Sequence, residues 1–492
     1  MWPSRFLVVM LVLSAVLLAI TGSSASQTVT FSTLVNFDGT DGTQPWITVQ
    51  ATNGYLYGTT TTGGSGMGRG GGTVFKMSPS GVLTTLYSFC VQQSCPDGYS
   101  PDGLLQANDG DLYGITAFGG ANGIGEIGGT FFKITLAGEL TTLYSFCSQA
   151  DCADGENPTG LVRGANGNFY GTTLFKGANN YGTVFEITPA GLLTTLHAFA
   201  GPEGAGPVGL IQANDGNFYG MTESGGANDW GAIYKITPSG TLTTLYSFCS
   251  QTGCPDGDTP LAALVQGNDG NLYGTTQYGG ASAKCIDRCG TVFKVSLAGD
   301  LTTLYSFCLQ ANCPDGNTPL AALVQGNDGN LYGTTLYGGA VNRTCGYTGC
   351  GTAFEVTTAG ELTTLHTFCI KAACPDGSDP IALIQDTNGK LFGGTAGGGT
   401  DGDGTIFGLA VGLSPFVKTL PTSGKVGANV TIVGNDLTGT TAVSFHGTAA
   451  TFAIVSSSEI TAVVPSGATT GPVAVTTPGG ALTSNVSFRI IQ

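Results

Sequence analysis

The chain has little charge, and positive charge least of all. Of its 492 residues only 16 are Lys or Arg and 3 are His, against 32 Asp or Glu, giving a formal net charge of −16. Nucleic-acid phosphates and anionic lipids both need clustered cations, so the composition argues against those partners and leaves cationic ligands and divalent metals open. The sequence has no HExxH, no nucleophile elbow with a supporting triad and no dinucleotide fingerprint. The glycine run at 63–72 lacks the Gly-Lys-Ser/Thr and the following helical pattern of a phosphate loop, and reads as a hairpin loop. Glycine is abundant, at 81 residues, but has no strict three-residue period, which excludes collagen. Beyond residues 6–20 no apolar run is long enough to cross a bilayer.

That one run follows Arg5 and precedes small residues with a cleavage point after Ala25, so 1–25 reads as a secretory signal peptide. An uncleaved anchor is the alternative, against which the shortness of the run counts. The cysteines agree with export. They fall as Cys90/Cys95, Cys147/Cys152, Cys249/Cys254, Cys285/Cys289, Cys308/Cys313, Cys345/Cys350 and Cys369/Cys374, with none left over. The equivalent loops at 37–45 and 199–207 lack both members of a pair, as a covalent pair would. Local disulfides are therefore expected. Zinc would need four convergent ligands, and the chain has no CxxC and only His197, His366 and His446 to add.

What the chain has is a repeated phrase. NGYLYGTT (53–60), DGDLYGIT (109–116), NGNFYGTT (166–173), DGNFYGMT (215–222), DGNLYGTT (269–276 and 328–335) and NGKLFGGT (388–395) are versions of one element. The aromatic spacing from Tyr57 to Phe392 is 56, 57, 49, 54, 59 and 60 residues, the mark of one supersecondary unit with tolerant loops. Within a unit, LAALVQG (261–267), NLYGTTQYG (271–279), GTVFKVS (290–296) and DLTTLYSF (300–307) read as four strands. Asn-Asp-Gly joins the first two, and a short Ala-Gly or Pro-Ser-Gly connection joins the last two. Apolar residues on both alternations of these strands predict sheets covered on both faces.

Each end of the array holds an incomplete unit. TFSTLVNF (30–37) is a fourth strand without its first three, while 381–410 supplies three strands without a fourth. Joining them closes a ring and removes an exposed edge. The expected fold is all-β: a seven-bladed β-propeller of four-stranded blades over 26–410, closed by the N-terminal strand, with an open β-solenoid as the alternative.

The repeat, DGNLYGTT followed by a Gly-rich loop, GTVFKI and LTTLYSF, resembles the GloVer tandem-repeat family of bacterial exported proteins over about residues 30–410. The resemblance implies a surface or secreted repeat protein with no assigned chemistry. The chain lacks an LPxTG-like sorting signal. Residues 411–492 have no cysteine and show short alternating strands, which predicts an immunoglobulin-like β-sandwich. Through LPTSGKVGANVTIVG, VSFHG, ITAVVP and GPVAVTTPGG this segment resembles the IPT/TIG domain, which implies a spacer or interaction module.

In an antiparallel meander alternate connections lie on opposite faces. The short Asp-Gly-Asn and Ser/Ala-Gly turns should share one face and the longer, variable loops the other. Arg69, Trp230, Arg288, Arg343 and Tyr347 are the distinctive side chains of those loops and the candidate ligand contacts, the bland reading being exposure or local packing. Asp41, Asp97, Asp154, Glu203, Asp256, Asp315 and Asp376 open an acid-Gly-x-x-Pro phrase before each first strand. They read mainly as turn formers, and alternatively as a ring that holds Ca²⁺ as a cofactor. His197 and His366 stand where other repeats have Tyr, so they read as structural variants.

The expected function is that of a secreted or cell-surface, monomeric, non-enzymatic scaffold that binds an extracellular polysaccharide or protein. No nucleic acid and no transmembrane segment of the mature chain are expected. The alternative is a carbohydrate-active hydrolase or lyase that uses loop carboxylates.

Overall fold

The computed structural model describes residues 29–66, 70–123, 127–281, 289–339, 345–346 and 348–491. The expected signal peptide lies outside them. Among the described residues no helix is long and apolar enough to cross a membrane.

The repeats form seven four-stranded antiparallel sheets, each in simple meander order. The first contains Thr43–Gln50, Leu56–Thr62, Thr73–Met77 and Leu83–Ser88. The last is built from both ends of the array: Thr30–Asn36 pairs with Thr405–Ala410, which continues to Leu391–Gly397 and Ser378–Gln385. Thr30 lies opposite Ala410 and Asn36 opposite Thr405.

Successive residues of a strand point to opposite sheet faces, and here each face meets a different neighbour. Leu272 packs with Tyr219, Phe248 and Leu264 toward the preceding sheet. Adjacent Tyr273 packs with Phe307, Leu331 and Phe354 toward the following one. Gly274, directly opposite Phe293, has no room for a side chain, since a Cβ there would lie 2.6 Å from the Phe293 ring. The equivalent glycines admit the ring opposite and also a backbone carbonyl of the first strand, as Gly58 admits that of Trp46 and Gly171 that of Gly160. An apolar cluster of this kind fills every junction between successive sheets. Another joins the two ends, with Phe37, Leu56 and Phe75 against Phe392 and Ile406.

First strands of neighbouring sheets touch and so form the inner wall. A Cβ on Gly160 would lie 2.7 Å from the Cα of Gly209. In the fifth and sixth sheets the regular part of the first strand shrinks to Val265–Gln266 and Val324–Gln325, shorter than the 261–267 strand expected. The chain has one residue more between Pro260 and Gln266 than between Pro101 and Gln106, and the extra residue breaks the pairing.

After Ala410 the chain forms two more four-stranded sheets and a short parallel pair, Ser423–Lys425 with Arg489–Ile491. Val430, Ile432, Val443, Phe445, Ile460, Val475 and Phe488 fill the space between the sheets. This sandwich sits on the face of the ring that carries the Asp-Gly-Asn turns. Asn327 donates to the carbonyl of Ser414 (2.7 Å), Ser458 Oγ to the carbonyl of Thr52 (2.8 Å), and Lys418 Nζ to the carbonyl of Gln385. The opposite, long-loop face is left open by these contacts.

Candidate functional site: the open loop face

The segment that enters each sheet is held by its acid. Tyr87 Oη donates to Asp97 (2.9 Å), and the backbone N–H of Cys90 donates to the same carboxylate (3.1 Å). The pattern recurs at Tyr144 with Asp154, Tyr246 with Asp256 and Tyr305 with Asp315. His197 and His366 take the tyrosine's place against Glu203 (2.7 Å) and Asp376 (3.0 Å). Asp41, in the shorter first loop, accepts the backbone N–H of Asp38. Each acid thus ties down its own loop. The structure does not bring the seven together: among the described residues none belongs to a group of three ligating side chains.

Six of the expected disulfides are formed, Cys90–Cys95, Cys147–Cys152, Cys249–Cys254, Cys308–Cys313, Cys345–Cys350 and Cys369–Cys374. Cys285 of the remaining pair lies outside the described residues, as do Arg69, Arg288, Arg343 and Tyr347. The sulfurs of Cys345, Cys350, Cys369 and Cys374 lie within 4.8 Å of one another, but each is engaged in a disulfide and offers no thiolate.

Trp230 is described, and its position has a precise structural meaning. Its carbonyl accepts the N–H of Thr259 in the next segment (3.0 Å). One residue per repeat makes the same seam contact: Gly71, Gly128, Tyr181, Trp230, Cys289, Cys350 and Asp403. The backbone role is constant while the side chain changes from nothing to indole, so this is a display position on the loop face. Only the third and fourth sheets place aromatic rings there. Tyr181 is 46% and Trp230 48% exposed, and Phe175 nearby is 45% exposed.

The loop between those two sheets explains the exposure of Tyr181. Tyr87 and Asp97 are ten residues apart, whereas His197 and Glu203 are six apart, so this segment lacks four residues and the disulfide. The shortening leaves a notch with the Tyr181 ring beside Gly201. The carbonyl of Gly201 in turn accepts the N–H of Gly226, in the loop that carries Trp230. Tyr181 and Phe175 escaped the sequence reading, although GANNYG (177–182) and GANDWG (226–231) align directly and mark Tyr181 as the partner of Trp230.

Beside the notch, Lys176, Asn180, Glu156, Asn122, Ile127 and the Cys147–Cys152 bridge line a cavity of about 720 Å³. Burial raises the Glu156 carboxyl above its ordinary range, with Lys176 pulling the other way. Glu156 Oε2 is buried without a hydrogen-bond partner. A second cavity of about 440 Å³ repeats the arrangement near Tyr337 and Asp379, whose carboxyl burial also raises.

The sequence pattern of the Gloeobacter/Verrucomicrobia repeat matches residues 23–207 and 157–368, and that of the IPT/TIG domain matches 415–490. No curated protein matches the chain. Among solved structures it is similar to a streptogramin B lyase, with 15% identity and a TM-score of 0.51, covering 79% of this chain and 100% of that one. It is also similar to a catalytically inactive virginiamycin B lyase from Staphylococcus aureus with quinupristin, with 16% identity and a TM-score of 0.51, covering 78% and 99%. At that identity the likeness concerns the fold alone.

Proposed function

We propose a role for a chain that belongs to the Gloeobacter/Verrucomicrobia repeat family and ends in an IPT/TIG domain: it is an extracytoplasmic, non-enzymatic binding protein that holds a polysaccharide on its open loop face. The observation that carries this reading is the pair Tyr181 and Trp230, displayed at equivalent seam positions of adjacent sheets across a shortened loop. Exposed rings on a rigid scaffold stack on the apolar faces of sugars, and the surrounding loop amides hydrogen-bond hydroxyls. The disulfides and the sandwich on the far face suit an exported protein with one face free.

The test is affinity electrophoresis of the full chain against neutral and acidic polysaccharides, followed by titration with the best binder. Trp230→Ala and Tyr181→Ala should each weaken binding by about tenfold, since each removes roughly 1 kcal/mol or more of aromatic contact. Unchanged affinity in the double variant would refute the site.

Glu156 supports a second reading, a carbohydrate-active hydrolase or lyase. A carboxyl raised by burial at the wall of a cavity suits a general acid. Release of reducing or unsaturated ends that disappears in Glu156→Gln would favour it over binding alone.

A further inference from the structure

The far face carries a different kind of cavity. Between the third and fourth sheets of the ring and the C-terminal sandwich lies a cleft of about 860 Å³, lined by Arg163, Lys425 and Arg489, by one acid, Asp215, and by Asn and Gln side chains. The same two arginines line a smaller cavity of about 210 Å³ next to it, so they stand at the boundary between the two spaces. In a chain with only 16 Lys and Arg among 492 residues, this is a marked convergence of positive charge.

Arg163 is also out of pattern. The same place in the other sheets is held by Gln50, Gln106, Gln212, Gln266, Gln325 and Gln385. There the amide typically accepts a backbone N–H from the preceding turn, as Gln212 accepts that of Ala165 (2.9 Å). Arg163 cannot accept; it donates to Asn108 (2.6 Å) and keeps a buried, unpartnered Nε. Arg489 comes from the last strand of the sandwich and lies against the turn at Gly216. Among the described residues neither guanidinium makes a direct ion pair. The nearest acids are committed elsewhere: Asp109 holds Tyr113 and Lys133, and Asp215 holds Tyr219 and Asn217. Three cations against the single lining acid Asp215, none of them in a direct ion pair with it, leave the cleft with a surplus of positive charge that calls for an anion from outside.

We infer that this interdomain cleft is an anion subsite for a carboxylate-bearing sugar, a uronate in an oligosaccharide, held by Arg163 and Arg489. Planar guanidiniums match a carboxylate bidentately. The amides of Asn108, Asn166, Gln212, Asn217 and Asn429, set among apolar surface from Tyr170, Pro421 and Ile491, match a sugar, which offers both hydroxyls and apolar ring faces. The site is independent of the loop-face notch, since it lies on the opposite side of the ring and uses none of its residues.

Calorimetric titration of the full chain with a short oligogalacturonate, a neutral galactose oligomer of the same length and a sulfated oligosaccharide tests the assignment. Saturable binding of the uronate, weakened by salt and absent for the neutral oligomer, is the expected result. Arg163→Gln restores the residue of the other sheets, so the variant should keep the wild-type melting temperature while losing about tenfold or more in affinity. Arg489→Gln should do the same. No saturable heat with the uronate, tighter binding of the sulfated sugar, or wild-type affinity in both variants would overturn the proposal. Loss of polysaccharide binding in Trp230→Ala leaves it untouched.

Discussion

Gln50 and Thr387, 337 residues apart in sequence, are joined by two hydrogen bonds: Gln50 Nε2 donates to Thr387 Oγ1 at 3.1 Å, and the Thr387 N–H donates to Gln50 Oε1 at 2.9 Å. Both residues are buried. Gln106 accepts from Thr52, Gln212 from Ala165, Gln266 from Asn214 and Gln325 from Asn268 in the same manner. The pair therefore joins the two ends of the array with the contact that links most neighbouring sheets along the inner wall, the exceptions being Arg163 and Gln385, which donate to Asn108 and Asn327 instead.

Gln50→Ala should cost about 1–3 kcal/mol, because it leaves the Thr387 N–H buried without a partner. Gln266→Ala frees the exposed Asn214 N–H and the half-buried carbonyl of Gly270, both within reach of water, and should cost less. Urea denaturation of the two variants checks the order, and equal losses would show that closure places no special demand on this link.

Alkaline pH should loosen the fold before it breaks any covalent bond. Burial, joined by a neighbouring carboxylate, pushes the phenols of Tyr113, Tyr144 and Tyr246 up to about 12 from an ordinary 10.0. Between those values the unfolded chain binds fewer protons than the folded one, so stability present below pH 10 is lost as pH rises toward 12. Melting temperatures across that window should fall, and Tyr246→Phe should flatten part of the fall. A melting temperature that stays level from pH 10 to 12 would contradict the cause.

Asp102 predicts the opposite sign for a substitution. It stands on the inner wall with its side chain exposed to the channel, and desolvation by the strands crowded around it raises its carboxyl despite a hydrogen bond from the backbone of Gly160. A raised carboxyl favours the folded state when protonated, and this advantage is lost as pH rises above the unfolded value. Asp102→Asn should therefore raise the melting temperature at neutral pH, with the gain shrinking toward about pH 4. A gain independent of pH would point to packing instead.

The disulfides should contribute modestly one by one. Cys147 and Cys152 are five residues apart, and closing so short a loop stabilises by about 2 kcal/mol at most in the chain-entropy account. The 199–204 segment, which folds without a bridge, shows that the acid alone can anchor such a loop. A Cys147→Ser/Cys152→Ser variant is expected to stay folded, with a melting temperature a few degrees lower; collapse of the fold would show that the bridge is required.

Much of the fold was legible because its determinants are local and written repeatedly. Asn-Asp-Gly turns, the Leu-Tyr-Gly phrase and cysteines five residues apart each specify geometry within one hairpin or loop. The incomplete units at 30–37 and 381–410 carried the expectation of closure, since an unpaired edge has to be satisfied somewhere. The roles of the acids were only half legible: Asp-Gly signals a turn, but that Asp97 receives Tyr87 depends on a loop folding back onto its own strand.

By itself, then, the sequence determined the unit, its number of copies and its covalent clips, because near-neighbour sterics and hydrogen bonding specify those. Which residues become neighbours across units was decided by tertiary structure. Tyr181 and Trp230 come to successive seams of the loop face because the ring places the third sheet beside the fourth. Arg163 and Arg489, 326 positions apart by number, meet because the C-terminal sandwich docks on the turn face. Side-chain chemistry is encoded locally, but its juxtaposition follows from how closed sheets and a docked domain bury their apolar faces.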